Sequence, residues 1–209
     1  MKTNHNHYLK LAFNIAKINL GKTRSNPSVG CVVVKDGSVI SSACTSVNGR
    51  PHAEFNALNS IKSSSKLSLY VTMEPCTHYG ITPPCTNIIK KKKIKNIYFS
   101  YNDIDIRTSN KLKSTLKNNK IKITKIKNKN FTDFYESYFT NFYKEIPLID
   151  AKLGLSKDYY TINKKSKWIT NSASRSRVHL IRSEYDSIIS TSTTINNDNS
   201  LLNCRLDGF

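Results

Sequence analysis

The sequence predicts a three-layer α/β/α fold with a mixed sheet. Short β-branched runs alternate with segments of helical spacing from one end of the first 143 residues to the other, and one early pair of runs reads as a hairpin. The residues able to ligate a metal fall where these elements begin or end, which leaves the element interiors free to build a core.

Tyr8, Leu11, Ile15 and Ile18 recur at helical spacing and Gly21 offers a stop, so the chain opens with an amphipathic helix that packs one face on a sheet. After the turn at Asn26-Pro27, the run Cys31-Val32-Val33-Val34, the turn Lys35-Asp36-Gly37-Ser38 and Val39-Ile40 form the hairpin. Asn26 therefore lies just before a strand. Asn-Pro is a turn signal, and the side-chain amide is equally suited to bond a base or a ribose. Phe55, Leu58 and Ile61 mark a helix over 53–61, and 67–72 is a short strand. Pro83-Pro84 precede a helix opened by Cys85 and continued by Ile88 and Ile89. The spacing then predicts a strand over 96–100, a polar helix over 109–118, a strand over 120–126, and a helix rich in Phe and Tyr over 131–143.

A chain of 209 residues holds one large domain, or one domain and part of another. Five cysteines is an odd number, no apolar signal segment follows Met1-Lys2, and no apolar run is long enough to span a bilayer. The expectation is a reducing, cytoplasmic setting with neither disulfides nor a membrane. Cys31, Cys44 and Cys204 then read as small core or surface residues. The net charge of +19 raises the question of nucleic acid. Lysine is spread along the chain among Asn, Ile and Ser, however, and the densest run, Lys90-Lys91-Lys92-Lys93, falls where a helix ends and cations complement its dipole. A solvated surface is the stronger reading, so no nucleic-acid partner is expected. The positive field still suits a small anionic substrate.

The chemistry concentrates in Pro51-His52-Ala53-Glu54 and in the stretch from Thr72 through Pro75-Cys76 to Pro83-Pro84-Cys85. One imidazole and two thiolates suit Zn²⁺, and three protein ligands leave the fourth tetrahedral position for water. Zinc lowers the pKa of such a water to about 7. His-x-Glu followed by Pro-Cys is the pattern of nucleobase deaminases, where a glutamate that is not a ligand carries the proton. His52, Cys76 and Cys85 are thus the metal candidates and Glu54 the catalytic one. The predicted helix starts at His52 and Cys85 favour thiolate over thiol. A core histidine beside two unrelated buried cysteines is the bland alternative. A basic RNA-binding module with a structural zinc is another; it needs a fourth ligand, for which His78 is the nearby candidate, and leaves Glu54 unexplained. Eight residues separate Cys76 from Cys85, where the general signature has two.

Three stretches, Asn26-Pro27-Ser28-Val29-Gly30-Cys31, Pro51-His52-Ala53-Glu54 and Glu74-Pro75-Cys76-Thr77-His78-Tyr79-Gly80-Ile81-Thr82-Pro83-Pro84-Cys85, together resemble the bifunctional riboflavin-biosynthesis deaminase/reductases. The long loop between the cysteines sets that family apart from cytidine, guanine and tRNA-adenosine deaminases, which remain the runner-up. The resemblance implies a cytidine-deaminase-like domain over 1–146 that removes the ring amine of 2,5-diamino-6-ribosylamino-4(3H)-pyrimidinone 5′-phosphate, a pyrimidine ribonucleotide. It implies zinc on His52, Cys76 and Cys85, proton donation by Glu54, and substrate contacts from Asn26, His78 and Asp103. It also implies a homodimer. Two departures bear on the substrate phosphate: Thr45 stands in place of a histidine, and Asp103-Ile104-Asp105-Ile106 replaces Asp-Pro-Asn-Pro.

Residues 152–158, 166–170 and 198–205 resemble the opening of the family's second domain, a dihydrofolate-reductase-like α/β reductase that uses NADPH. Carried over residue by residue, Gly154, Trp168, Thr194 and Asp198 would touch the cofactor, and Ser166, Arg182, Leu202 and Arg205 the substrate. Such a domain runs to roughly 200 residues, and 147–209 holds only Gly154 and Gly208 where a phosphate-cradling loop needs glycines. The expectation is therefore an incomplete N-terminal portion, with NADPH relevant only once the domain is completed.

Overall fold

In the computed structural model, which describes residues 4–62, 66–127, 131–161, 166 and 168–208, the chain divides into two compact units, Met1–Leu148 and Ile149–Phe209. The first is built on a five-stranded sheet of β1 (Gly30–Lys35), β2 (Ser38–Cys44), β3 (Ser68–Met73), β4 (Asn96–Tyr101) and β5 (Lys122–Lys125). Their order is β2-β1-β3-β4-β5. β1 runs antiparallel to both of its neighbours, while β3, β4 and β5 are parallel, so the sheet is mixed. Asp36 and Gly37 both take positive φ, the turn that matches the twist of a two-residue hairpin.

Alternate strand residues feed two cores. Cys31, Val33, Leu69, Val71, Ile97 and Phe99 face α2 (Ala53–Asn59), α3 (Cys85–Lys91) and α4 (Leu112–Thr115). Val32, Val34, Tyr70 and Tyr98 face α1 (His5–Ala16). A third cluster joins Phe13 and Met73 to Tyr135, just ahead of α5 (Glu136–Lys144). Helices on both faces of the sheet make the three layers, with β1, β3 and β4 buried on both sides.

Several elements differ from their sequence-based expectation. α1 ends at Ala16, a 3₁₀ turn follows, and Ile18 is exposed. The fully buried face is Leu9, Ala12, Phe13 and Ala16, one position round from the predicted stripe of large residues. The reason is close approach: a Cβ on Gly30 would lie 1.9 Å from the Ala12 carbonyl oxygen, so α1 sits against β1 through small residues that a count of large apolar ones overlooks. The polar helix predicted over 109–118 shrinks to the four residues of α4 and a 3₁₀ turn. The aromatic helix starts at Glu136, because Tyr135 is held in a buried network; its hydroxyl lies 2.6 Å from Thr72 Oγ1 and donates to the Ser28 carbonyl at 3.0 Å. Residues 128–130 of the preceding stretch lie outside the described set.

The second unit contains α6 (Ser172–Ser183), capped by Asn171, and α7 (Ser192–Asp198), capped by Thr191. Among its described residues there is no strand and none is buried. No helix among the described residues is long and apolar enough to cross a membrane.

Candidate active site

The site lies at the carboxyl end of the parallel strands β3 and β4, the usual ligand crevice of an open α/β sheet. β3 ends at Met73, and the chain turns through Glu74 and Pro75 to Cys76. Pro83-Pro84 cannot extend the loop as helix, and Cys85 becomes the first residue of α3. His52 is the residue ahead of α2, and Glu54 occupies that helix's first turn. Two short helix starts and one strand end therefore meet.

The three ligand atoms of His52, Cys76 and Cys85 all lie within 4.8 Å of one another. His52 turns Nδ1 toward both sulfurs, 3.6 Å from Cys76 Sγ and 3.4 Å from Cys85 Sγ. A tetrahedral zinc, with bonds of about 2.3 Å to sulfur and about 2.0–2.1 Å to nitrogen, holds such atoms roughly 3.5 Å apart. The donor set and its spacing fit zinc. The Cys85 backbone N–H donates to Cys76 Sγ at 3.2 Å, as a thiolate requires. Cys76 is drawn down to about 4, first by the hydrogen bond from the Cys85 thiol, whereas Cys85 is pushed well up by that same bond and by burial.

Glu54 is 3% exposed and shares a hydrogen bond with Cys85. Burial, and then the negative charge of Cys76, push its carboxyl up to about 7, against the pull of His52. A cavity of about 100 Å³ opens over this group; Asn26, His52, Glu54, Cys76, His78 and Asp103 line it, and Cys85 is buried with its Sγ against His52. Gly49 makes room for Asn26: its φ is +86°, and a Cβ there would fall 2.4 Å from the Asn26 amide nitrogen. His78 is tied through Nδ1 to the Thr108 hydroxyl at 2.9 Å, and its Nε2 lies 3.9 Å from Asp105. Burial pushes the Asp103 carboxyl up to about 6, partly offset by the Asp105 N–H that it accepts at 3.0 Å. Thr45 also lines the cavity, but it is almost fully buried, and its hydroxyl is engaged with Pro27 and Val29 backbone.

Among the residues of this wall to which sequence reasoning gave no role are Arg50, Thr82, Arg107 and Tyr138. Arg50 stands just before the ligand run and Thr82 inside the inter-cysteine loop, so proximity to the motifs was their signal. Tyr138 arrives from α5 and has no local signal. In the second unit, Arg182 and Arg205 both reach Asn203, the first through its carbonyl and the second through Oδ1. Trp168 lies against the Arg175 guanidinium, 4.5 Å from ring centre to Cζ. The Ser166 hydroxyl bonds the Trp168 backbone, Thr194 and Asp198 sit on α7, Gly154 lies near Lys152 and Thr170, and Leu202 has a positive φ.

Residues 2–101 match the family described as the cytidine and deoxycytidylate deaminase zinc-binding region. The fold and the His/Cys/Cys cluster agree with that likeness to a zinc-binding deaminase region. Along nearly its whole length the chain is also homologous to the riboflavin-biosynthesis deaminase/reductases. It is 36% identical to the riboflavin biosynthesis protein RibD of Aquifex aeolicus over 203 residues, which is 95% of this chain and 57% of that one. The Escherichia coli counterpart is 30% identical over 203 residues, 95% of this chain and 55% of its own. A solved diaminohydroxyphosphoribosylaminopyrimidine deaminase/5-amino-6-(5-phosphoribosylamino)uracil reductase of Thermotoga maritima superposes with a TM-score of 0.88 at 31% identity, covering 98% of this chain and 60% of that structure. The chain spans somewhat more than half the length of the relatives it matches.

Proposed function

We propose that the first unit catalyses the hydrolytic deamination of 2,5-diamino-6-ribosylamino-4(3H)-pyrimidinone 5′-phosphate. The observation that carries this reading is the buried Glu54 carboxyl beside the His52, Cys76 and Cys85 cluster, on the floor of a cavity at the sheet's carboxyl end. His52 Nδ1 and the two sulfurs would hold zinc, which when bound supplies an activated water at neutral pH.

The chain's own groups do the rest. Glu54, with its carboxyl near neutrality, holds or releases a proton with little driving force either way, which suits a shuttle to the departing ammonia. The Asn26 amide offers both a donor and an acceptor to the pyrimidine edge or ribose, and its position beside Gly49 is sterically fixed. His78, oriented by Thr108, presents its other ring nitrogen along the wall, and Asp103 offers a carboxyl whose pKa burial raises to about 6. Competition among substrates tests the assignment: ammonia release from the diaminopyrimidine phosphate should exceed that from cytidine and deoxycytidylate by orders of magnitude. Comparable rates on all three would replace it with a general nucleotide deaminase.

For 149–209 the reading is the opening of the reductase region of the relatives, with Gly154, Trp168, Thr194 and Asp198 toward NADPH and Ser166, Arg182, Leu202 and Arg205 toward its substrate. The motif matches support it. These residues bury no side chain of their own among those described, so the 209-residue chain alone is expected to oxidise NADPH negligibly with the deaminated product. Robust NADPH oxidation by this chain would contradict that.

A further inference from the structure

The second nitrogen of His52 faces the wrong kind of partner. Because Nδ1 points at both sulfurs, Nε2 points away from them and meets Arg50 Nη1 at 3.2 Å. A histidine that ligates through Nδ1 carries its proton on Nε2 and ordinarily gives it to a carboxylate, a carbonyl or water. A guanidinium accepts nothing. With His52 as a ligand, two donors 3.2 Å apart confront each other, a conflict that an acceptor oxygen beside the pair, bonded to both, would resolve.

A third donor is in place. Arg50 Nη1 donates to Thr82 Oγ1 at 2.7 Å, which leaves the Thr82 hydroxyl proton available. A Cβ on Gly80 would touch Arg50 Nη2 at 3.7 Å without clashing, so the glycine leaves about a methyl's room beside the guanidinium.

The nearby acids do not neutralise this group. Glu74 spends its two oxygens on the Asn110 and Leu112 N–H groups. Asp105 grips Arg107 with both of its oxygens, and Asp103 accepts the Asp105 N–H. Among the described residues, the ion pairs within 4.0 Å are those of Asp105 with His78 and Arg107, and neither includes Arg50.

We propose that Arg50, the His52 Nε2–H and the Thr82 hydroxyl form an oxyanion site that takes the phosphomonoester of the substrate. The identity of the anion rests on the reading of the pocket as a nucleotide site; the donor convergence does not. Arginine's fixed fork and full charge suit phosphate oxygens, and three converging donors match its three terminal ones.

The test is calorimetric titration of the zinc-loaded 209-residue chain with ribose 5-phosphate and with ribose, neither of which carries a base or can be deaminated. Ribose 5-phosphate should bind more tightly than ribose. Arg50→Gln should remove roughly 10- to 100-fold of that affinity, Arg50→Lys should retain most of it, and Thr82→Val should cost less than Arg50→Gln, with bound zinc at one equivalent in every protein. Equal affinity for ribose 5-phosphate in the native chain and Arg50→Gln overturns the proposal, as does a native chain that does not distinguish the two sugars. Ammonia release from the diaminopyrimidine phosphate is scored separately, so a functioning deaminase with no role for Arg50 is told apart from a failure of the deaminase reading itself.

Discussion

At the scale of single residues the site is a set of opposed demands. Burial favours a protonated Glu54, yet the adjoining imidazole favours its carboxylate, and the balance near 7 is what a proton carrier needs. The metal cluster asks for thiolates; the Cys85 N–H answers at Cys76, while Cys85 itself is held high until its proton leaves. Stripping the metal with a chelator should therefore abolish deamination, and one equivalent of zinc should restore it with release of protons. Activity that survives complete metal removal would refute this. Asp103 supplies a pH prediction. Its folded value of about 6 lies above the roughly 3.9 of an unfolded aspartate. The native state therefore binds this proton more tightly, so the stabilisation is full below about pH 4 and is lost as pH rises through 6. Asp103→Asn still offers an oxygen to the Asp105 N–H. Its Tm relative to the native chain should rise between pH 4 and pH 8, and a difference constant across that range would rule the shift out.

At the scale of elements, the contact between α1 and β1 decides how closely the layers approach. Adding one methyl at Gly30 drives it into the Ala12 carbonyl, so Gly30→Ala should destabilise the first unit by about 1–3 kcal/mol or more in chemical denaturation, whereas Gly37→Ala, with open space around it, suffers only from its positive φ. If Gly30→Ala unfolds at the native midpoint, the helix does not sit where described. This contact also marks what a sequence conceals. The strands were legible because β-branched runs need only their own neighbours to declare themselves, and His52, Glu54, Cys76 and Cys85 were legible because ligand type and spacing are local. The packing face of α1 was legible in part: Tyr8, Leu11 and Ile15 do pack against the sheet, but the alanines at the centre of the contact carry little hydrophobic signal of their own. The start of α5 was not legible, fixed as it is by a bond from Tyr135 to Ser28 across 107 residues. Arg50 was passed over for another reason: its meaning depends on which nitrogen of His52 faces the sulfurs, and only coordinates show that.

At the scale of the whole molecule, the two units differ in how much they bury. Sheet residues of the first are covered on both faces, while the second has two capped helices and no buried residue among those described. Amide exchange should follow that division, with β1, β3 and β4 among the slowest amides of the chain and α6 and α7 exchanging far faster. Equal protection in both units would show that 149–209 is more tightly packed than its exposure indicates. The deaminase reading belongs to the first unit alone and turns on the separation of two roles, metal holding by His52, Cys76 and Cys85 and proton carriage by Glu54. The most direct test measures zinc content and ammonia release together on the native chain and on Glu54→Gln, with the diaminopyrimidine phosphate as substrate. Glu54→Gln should keep one zinc per chain and lose ~10²–10⁴-fold in turnover; a variant that retains both its zinc and its full rate would contradict the assignment.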